Sequence, residues 1–234
     1  VRLVENLVFA DRTLAPGGTG ETRVNTTTAG EQSAPAVAVL AAGGHVVVWQ
    51  SWSQDGSGYG VYAQRFTGGG QPVGEEFRVA TASAGGQSLT AVTALAGGGF
   101  VVTWQSAAQD GSGTGIYAQR FDAAGVATGA EFRVNTFTAS DQTQAAVAAL
   151  ADGGFVVTWQ SWAQDGSDWG IYAQRFDASG VAQGAELRVN TATSNYQLTP
   201  SVAGLEGGGF VVTWQSWAQD GSGYGFYAQR NGAN

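Results

Sequence analysis

The chain has 234 residues and a formal charge of −8, with 18 acidic side chains against 10 bases, every base being Arg. A net-acidic chain without a basic cluster argues against nucleic acid and anionic membranes as partners, and no apolar run approaches the ~20 residues of a membrane-spanning helix. Zero Cys removes disulfides, thiolate catalysis and thiolate metal centres, while any His-based triad, metal ligand or general base would fall on His45 alone.

Residues 1–20 read as an additional N-terminal strand and linker. Val8-Phe9-Ala10-Asp11-Arg12 resembles Ile116-Tyr117-Ala118-Gln119-Arg120 and reads as the decayed third strand of a preceding unit. With no signal-like segment at Val1 and no Met, the chain looks like a processed or excised piece of a longer product. A short extended stretch follows at 21–26, containing Thr22-Arg23-Val24-Asn25-Thr26.

From Gln32 onward the sequence repeats every 55 residues. Gln32, Gln87, Gln142 and Gln197 keep the step, as do Trp49, Trp104, Trp159 and Trp214, and Asp55, Asp110, Asp165 and Asp220. One unit runs QTQAAVAAL, ADGG, FVVTWQS, WAQDGSDWG, IYAQRFD, ASGVAQGA, ELRVNT from residue 142. Its periodic pieces are short, β-branched and aromatic, and Gly, Asp or Asn bounds each, which is strand chemistry. The Gly-Gly links are hairpin signals, and nothing sustains a helical period.

Four strands per unit and four units predict an all-β fold, a four-bladed β-propeller of four-stranded antiparallel blades. The blade pattern resembles the Kelch repeat. The blades span 32–81, 87–136, 142–191 and 197–230 within a single domain, 1–234. The first three own fourth strands at Phe77–Thr81, Phe132–Thr136 and Leu187–Thr191, whereas the last stops short of one. The 21–26 segment is therefore expected to complete the last blade and close the ring, which would hide the exposed strand edges.

In such a blade the link between the second and third strands shares a face with the link to the next blade. Trp52, Asp55 and Tyr59 are expected there with Thr28 and Gln32, and the later units repeat the arrangement with Trp162, Asp165 and Trp169, then Trp217, Asp220 and Tyr224. Unit two keeps Gln109-Asp110-Gly111-Ser112 but has Ala107 and Thr114 in place of both aromatics. Two compatible readings follow. The paired rings clasp the hairpin, or they form a platform on which a sugar ring lies while Asp and Gln bond its hydroxyls. The Asp-Gly-Ser run reads first as a turn in which Asp bonds its own backbone. The alternative is Ca²⁺, for which unit three offers two carboxylates, Asp165 and Asp168. His45 takes the place of Phe100, Phe155 and Phe210 and reads as a strand-start substitution.

The run GGFVVTWQSWAQDGSGYGFYAQR, with FRVNT in the earlier units, resembles tandem repeats of large secreted bacterial proteins of the haemolysin-type calcium-binding (RTX) kind. The resemblance covers residues ~20–230 and implies a bacterial, exported, multidomain parent at the cell surface or beyond it. It supplies no catalytic residues, and the Ca²⁺-binding nonapeptides of that family do not occur in the chain. Enzymes concentrate their chemistry in one asymmetric constellation, and no such cluster stands out among the repeated residues. The sequence thus predicts a non-enzymatic, lectin-like module that binds a glycan or polysaccharide. The alternative is an extracellular scaffold that binds surface or matrix proteins.

Overall fold

A computed structural model of the chain describes residues 21–233. The strand expected at 8–12 lies outside the described residues. Unit one folds as β1 (Gln32–Val39), β2 (His45–Trp52), β3 (Tyr59–Phe66) and β4 (Pro72–Arg78). Unit two holds β5 (Gln87–Ala94), β6 (Phe100–Ala107), β7 (Thr114–Phe121) and the short β8 (Phe132–Arg133). Unit three holds β9 (Gln142–Ala149), β10 (Phe155–Trp162), β11 (Trp169–Phe176) and β12 (Ala182–Arg188). Unit four holds β13 (Gln197–Gly204), β14 (Phe210–Trp217) and β15 (Tyr224–Asn231). Each unit is one antiparallel meander, four-stranded in the first three and three-stranded in the last. This is the blade architecture of a β-propeller, with the first strands of successive blades adjoining.

The hairpins explain the glycines between first and second strands. A side chain at Gly44 would place its Cβ 2.1 Å from the Phe66 carbonyl oxygen, so the backbone approach there admits only Gly. His45 stacks on Phe66 at 4.9 Å, as Phe100 stacks on Phe121 and Phe155 on Phe176 at 5.0 Å, so the substitution keeps a packing role.

The apolar cores lie between blades. One joins Val46, Val48, Val61 and Ala63 of unit one to Phe100, Val102, Trp104 and Phe121 of unit two. A second joins Val101, Ile116 and Ala118 to Phe155, Val157 and Trp159. The third joins Val156, Ile171 and Ala173 to Phe210, Val212 and Trp214. Each fully buried Val, Ile or Phe contributes ~1.5–3 kcal/mol, so the blades hold one another rather than themselves.

Polar contacts repeat at the same junctions. The first strand of every unit is bulged, with register shifts after Ser33 and its equivalents and with Ala34, Leu89, Gln144 and Thr199 at φ of 50–57°. A non-Gly residue in that region is strained. The bulge turns an amide out of its ladder toward the preceding blade. Leu89 N donates to Gln50 Oε1 and Thr199 N to Gln160 Oε1, both at 2.9 Å. Arg65 and Arg120 donate to the Ala124 and Ser179 carbonyls of the next blade, each at 2.6 Å.

Two expectations change. β4 and β12 start earlier than predicted while β8 starts at Phe132 as predicted, and the three strands end at Arg78, Arg188 and Arg133, after which the Val79, Val134 and Val189 amides still bond Val61, Ile116 and Ile171. The 21–26 segment forms no ladder, so it does not close the ring, and the unit-four sheet keeps its three strands. Local partners hold it at the flank of unit one. Asn25 donates to Gln32 Oε1 at 3.2 Å, and Thr26 donates to Glu76 through its amide at 2.7 Å and its hydroxyl at 2.9 Å.

The bulge contact gives a stability test. Gln160→Leu removes the partner of the Thr199 amide, so urea denaturation is expected to show a loss of ~0.5–1.5 kcal/mol. Gln105→Leu is expected to cost less, because Gln105 Oε1 is buried without a partner already.

Candidate functional site

The aromatic loops share an edge with the inter-blade links, as expected. Trp52 N bonds the Glu31 carbonyl, Trp162 N that of Asp141, and Trp217 N that of Tyr196. The paired rings sit opposite each other in the β2–β3, β10–β11 and β14–β15 registers. They meet edge to face rather than stacked: Trp52 with Tyr59 at 4.9 Å, Trp162 with Trp169 at 5.4 Å, and Trp217 with Tyr224 at 4.8 Å. The clasp reading is therefore realised. Each first Trp also stays exposed on the loop face.

The repeated Asp is not beside those exposed rings. Asp55 is folded under its own loop, where Oδ1 accepts the Ser57 amide at 3.1 Å and Oδ2 lies 3.1 Å from the Arg78 guanidinium. The latter is a charge–charge contact rather than a directed hydrogen bond, since Oδ2 has no hydrogen-bond partner. A Cβ at Gly60 would lie 3.1 Å from Asp55 Oδ2 and 3.2 Å from the Tyr62 ring, which accounts for the repeated Gly before the aromatic strand. Asp110 and Asp165 repeat the turn with Ser112 and Ser167, and their Oδ2 atoms are likewise buried and unpaired. Asp220 makes the same turn with Ser222 but is exposed.

Glu and Arg of the fourth strand do not pair with each other along the strand face. Glu76 instead ties unit one to the link before it. Burial alone would raise its pKa, but the Thr26 amide, the Gln54 amide group and the Thr26 and Thr27 hydroxyls outweigh that and hold it below the usual value. Glu131 takes Thr81 and Gln109 in the same way, and Glu186 takes Thr136 and Gln164. Asp and Glu of the repeat are thus structural. Of the expected sugar-bonding set, Asp55 and Asp165 turn under their loops, with Oδ1 on the Ser57 or Ser167 amide and Oδ2 buried, whereas Asp220 makes the same turn and stays exposed. No group of three His, Cys, Asp or Glu side chains converges around Asp165 and Asp168 among the described residues.

Two carboxylates on this face stand outside the repeated framework. Asp141 takes the position of Glu31, Gly86 and Tyr196, and Asp168 takes that of Gly58, Gly113 and Gly223. Both belong to unit three and flank its aromatic pair. The Asp141 carbonyl accepts the Trp162 amide at 2.9 Å, and the Asp168 carbonyl accepts the next amide, Ala163, at 2.7 Å. The exposed Asp141 side chain accepts the Thr114 amide of unit two at 2.9 Å, at the place where that unit has lost its rings. Reading for what repeats passes over these residues. The signal that finds them is departure from the repeat.

No family model matches the sequence, and no curated protein matches it. Solved structures do. An endo-arabinase from Bacteroides thetaiotaomicron matches at 14% identity and a TM-score of 0.50, over 86% of this chain and 76% of that one. A Hadza microbial sialidase matches at 13% identity and a TM-score of 0.56, over 86% of this chain. The chain spans 44% of the sialidase's length. At these identities the likeness establishes the propeller fold. The expectation of a non-enzymatic, lectin-like module is corrected, because the matching blades named here belong to an endo-arabinase and a sialidase.

Beneath each of the first three loops a Tyr is buried against the Asp. Burial raises the Tyr172 pKa from 10.0 to about 12, helped by the charges of Asp165 and Glu186 and opposed by Arg188. Tyr62 and Tyr117 are raised for the corresponding reasons. A phenol that holds its proton more tightly in the folded state stabilises the fold fully below pH 10, and that contribution is lost as pH rises through about 12. Stability is therefore expected to fall across that window, with a late phenolate absorbance step, and Tyr172→Phe should flatten part of the fall.

Proposed function

We propose that the chain is the propeller of a glycoside-cleaving enzyme whose chemistry sits at the unit-three edge of the loop face. The observation that carries this reading is the position of Asp141 and Asp168 on either side of the Trp162–Trp169 pair. Cleavage of a glycosidic bond uses two carboxyl groups. One gives a proton to the leaving oxygen, and the other activates water or attacks the anomeric carbon. Asp141 and Asp168 supply that pair, whereas Asp165 and Glu186 are consumed by the Ser167 turn and by Thr136 and Gln164. Trp162 offers an apolar face to the sugar ring beside the acids, and Trp52 and Trp217 offer further faces to a longer glycan. Kinship of fold with an endo-arabinase and a sialidase supports a glycan substrate.

The test is release of reducing ends from arabinan and of sialic acid from sialylated oligosaccharides. Cleavage of one class is expected, with Asp141→Asn and Asp168→Asn each lowering kcat by ~10²–10⁴ without loss of fold. Trp162→Ala should act mainly on KM. Failure to cleave either class, or full activity in both Asn variants, would overturn the reading.

A further inference from the structure

The two ends of the blade series carry complementary halves of the junction that recurs inside it. In units one to three the face toward the next blade is sealed: Val61, Ile116 and Ile171 are 0% exposed. In unit four the matching residue, Phe226, is 88% exposed, and Thr213 and Ala228 at the neighbouring core positions are exposed with it. At the other end, β1 presents Val37 at 62% and Val39 at 77% exposure. Their equivalents Val92 and Ala94 pack on the unit-one core, and Val147 and Ala149 on the unit-two core.

The polar half of the junction is open in the same register. Gln50 and Gln160 receive bulge amides from the next blade, and Gln215 holds the corresponding place in unit four. Among the described residues, Ala34 is the bulge residue of unit one with no preceding blade to receive its amide. Residues 21–26 occupy on unit one the place that the end of each fourth strand occupies on the following unit. Thr26 bonds Glu76 as Thr81 bonds Glu131, and Asn25 bonds Gln32 as Asn135 bonds Gln142. A blade set before unit one would find its fourth strand already in position. Among the described residues β15 has an unpaired edge, and unit four has the Asp220 and Gln219 that Arg23 and Glu21 would meet, as Arg78 and Glu76 meet Asp55 and Gln54.

We propose that the chain associates head to tail with a second copy of itself, unit four of one copy seating on unit one of the next and taking residues 21–26 as its fourth strand. The occupant follows from complementarity. The two open faces are the two sides of a junction this chain already makes three times between its own units. Such a contact is heterologous, so it leaves one face of each kind free and continues until geometry closes it.

The test is sedimentation of the full chain and of two face variants. The parent is expected to grow in weight-average mass with concentration up to ~100 µM, the range of a modest interface. Phe226→Glu and the double variant Val37→Glu/Val39→Glu should each be monomeric alone, because each spoils one face at exposed positions. Mixed together they should form a one-to-one dimer and nothing larger, because one sound junction remains. Should either variant fold poorly, Arg23→Asp and Asp220→Arg replace them: each alone weakens association at least about tenfold, and the mixture restores it, because every contact between the two variants again pairs an Arg with an Asp. A parent that stays monomeric, or a mixture that does not pair, overturns the proposal. These readouts are independent of glycan cleavage, so either idea can fail alone.

Discussion

Each sheet of this chain has two apolar faces, and no unit can cover both with its own residues. Val46, Val61 and Ala63 are sealed only because Phe100, Trp104 and Phe121 arrive from the next unit. Most other features follow from that need. The bulge in every first strand costs strain at residues such as Leu89, yet it aims an amide at the preceding blade. Glu76 is buried far enough to pay a desolvation penalty, but its acceptors tie the flank of one unit to the link before it. The repeat therefore encodes a junction as much as a blade.

The strands and hairpins were legible because their physics is local. Alternation, Gly-Gly turns and β-branched runs depend on neighbours a few residues away, and the registers of β2 with β3 or β10 with β11 follow directly. Loop placement was legible for the same reason, since a meander alternates its links between two ends. Ring closure was not, because it depends on where the short 21–26 segment is held. Asn25 and Thr26 find Gln32 and Glu76 close by, and those bonds form without reference to β15.

The site was less legible than the fold. A sequence places Asp55 two residues before Ser57 but does not say that Arg78, twenty-three residues on, lies at its carboxylate. Asp-Gly-Ser looks alike whether it faces solvent or turns inward. The empty side of Gly60 decides it, because the carboxylate packs there against Tyr62. The aromatic pairs were foreseen as partners, yet their edge-to-face geometry, which leaves each outer Trp face open, needed the cross-strand register.

In a repeat protein the residues that recur are the ones the architecture consumes. Asp165, Glu186, Arg175 and Gln160 each have a partner demanded by the turn, the hairpin or the neighbouring blade. A residue so engaged is poorly placed to change its protonation or its contacts during a reaction, since any change would be felt at a blade junction. Chemistry is then cheapest where the repeat is broken. Asp168 takes no part in a recurring side-chain contact, and the Asp141 side chain bonds the Thr114 amide outside the recurring pattern, at the junction where unit two has lost both rings. The symmetry that makes the chain easy to fold thus draws the eye to residues the architecture consumes, and the proposed site rests instead on the departures from it.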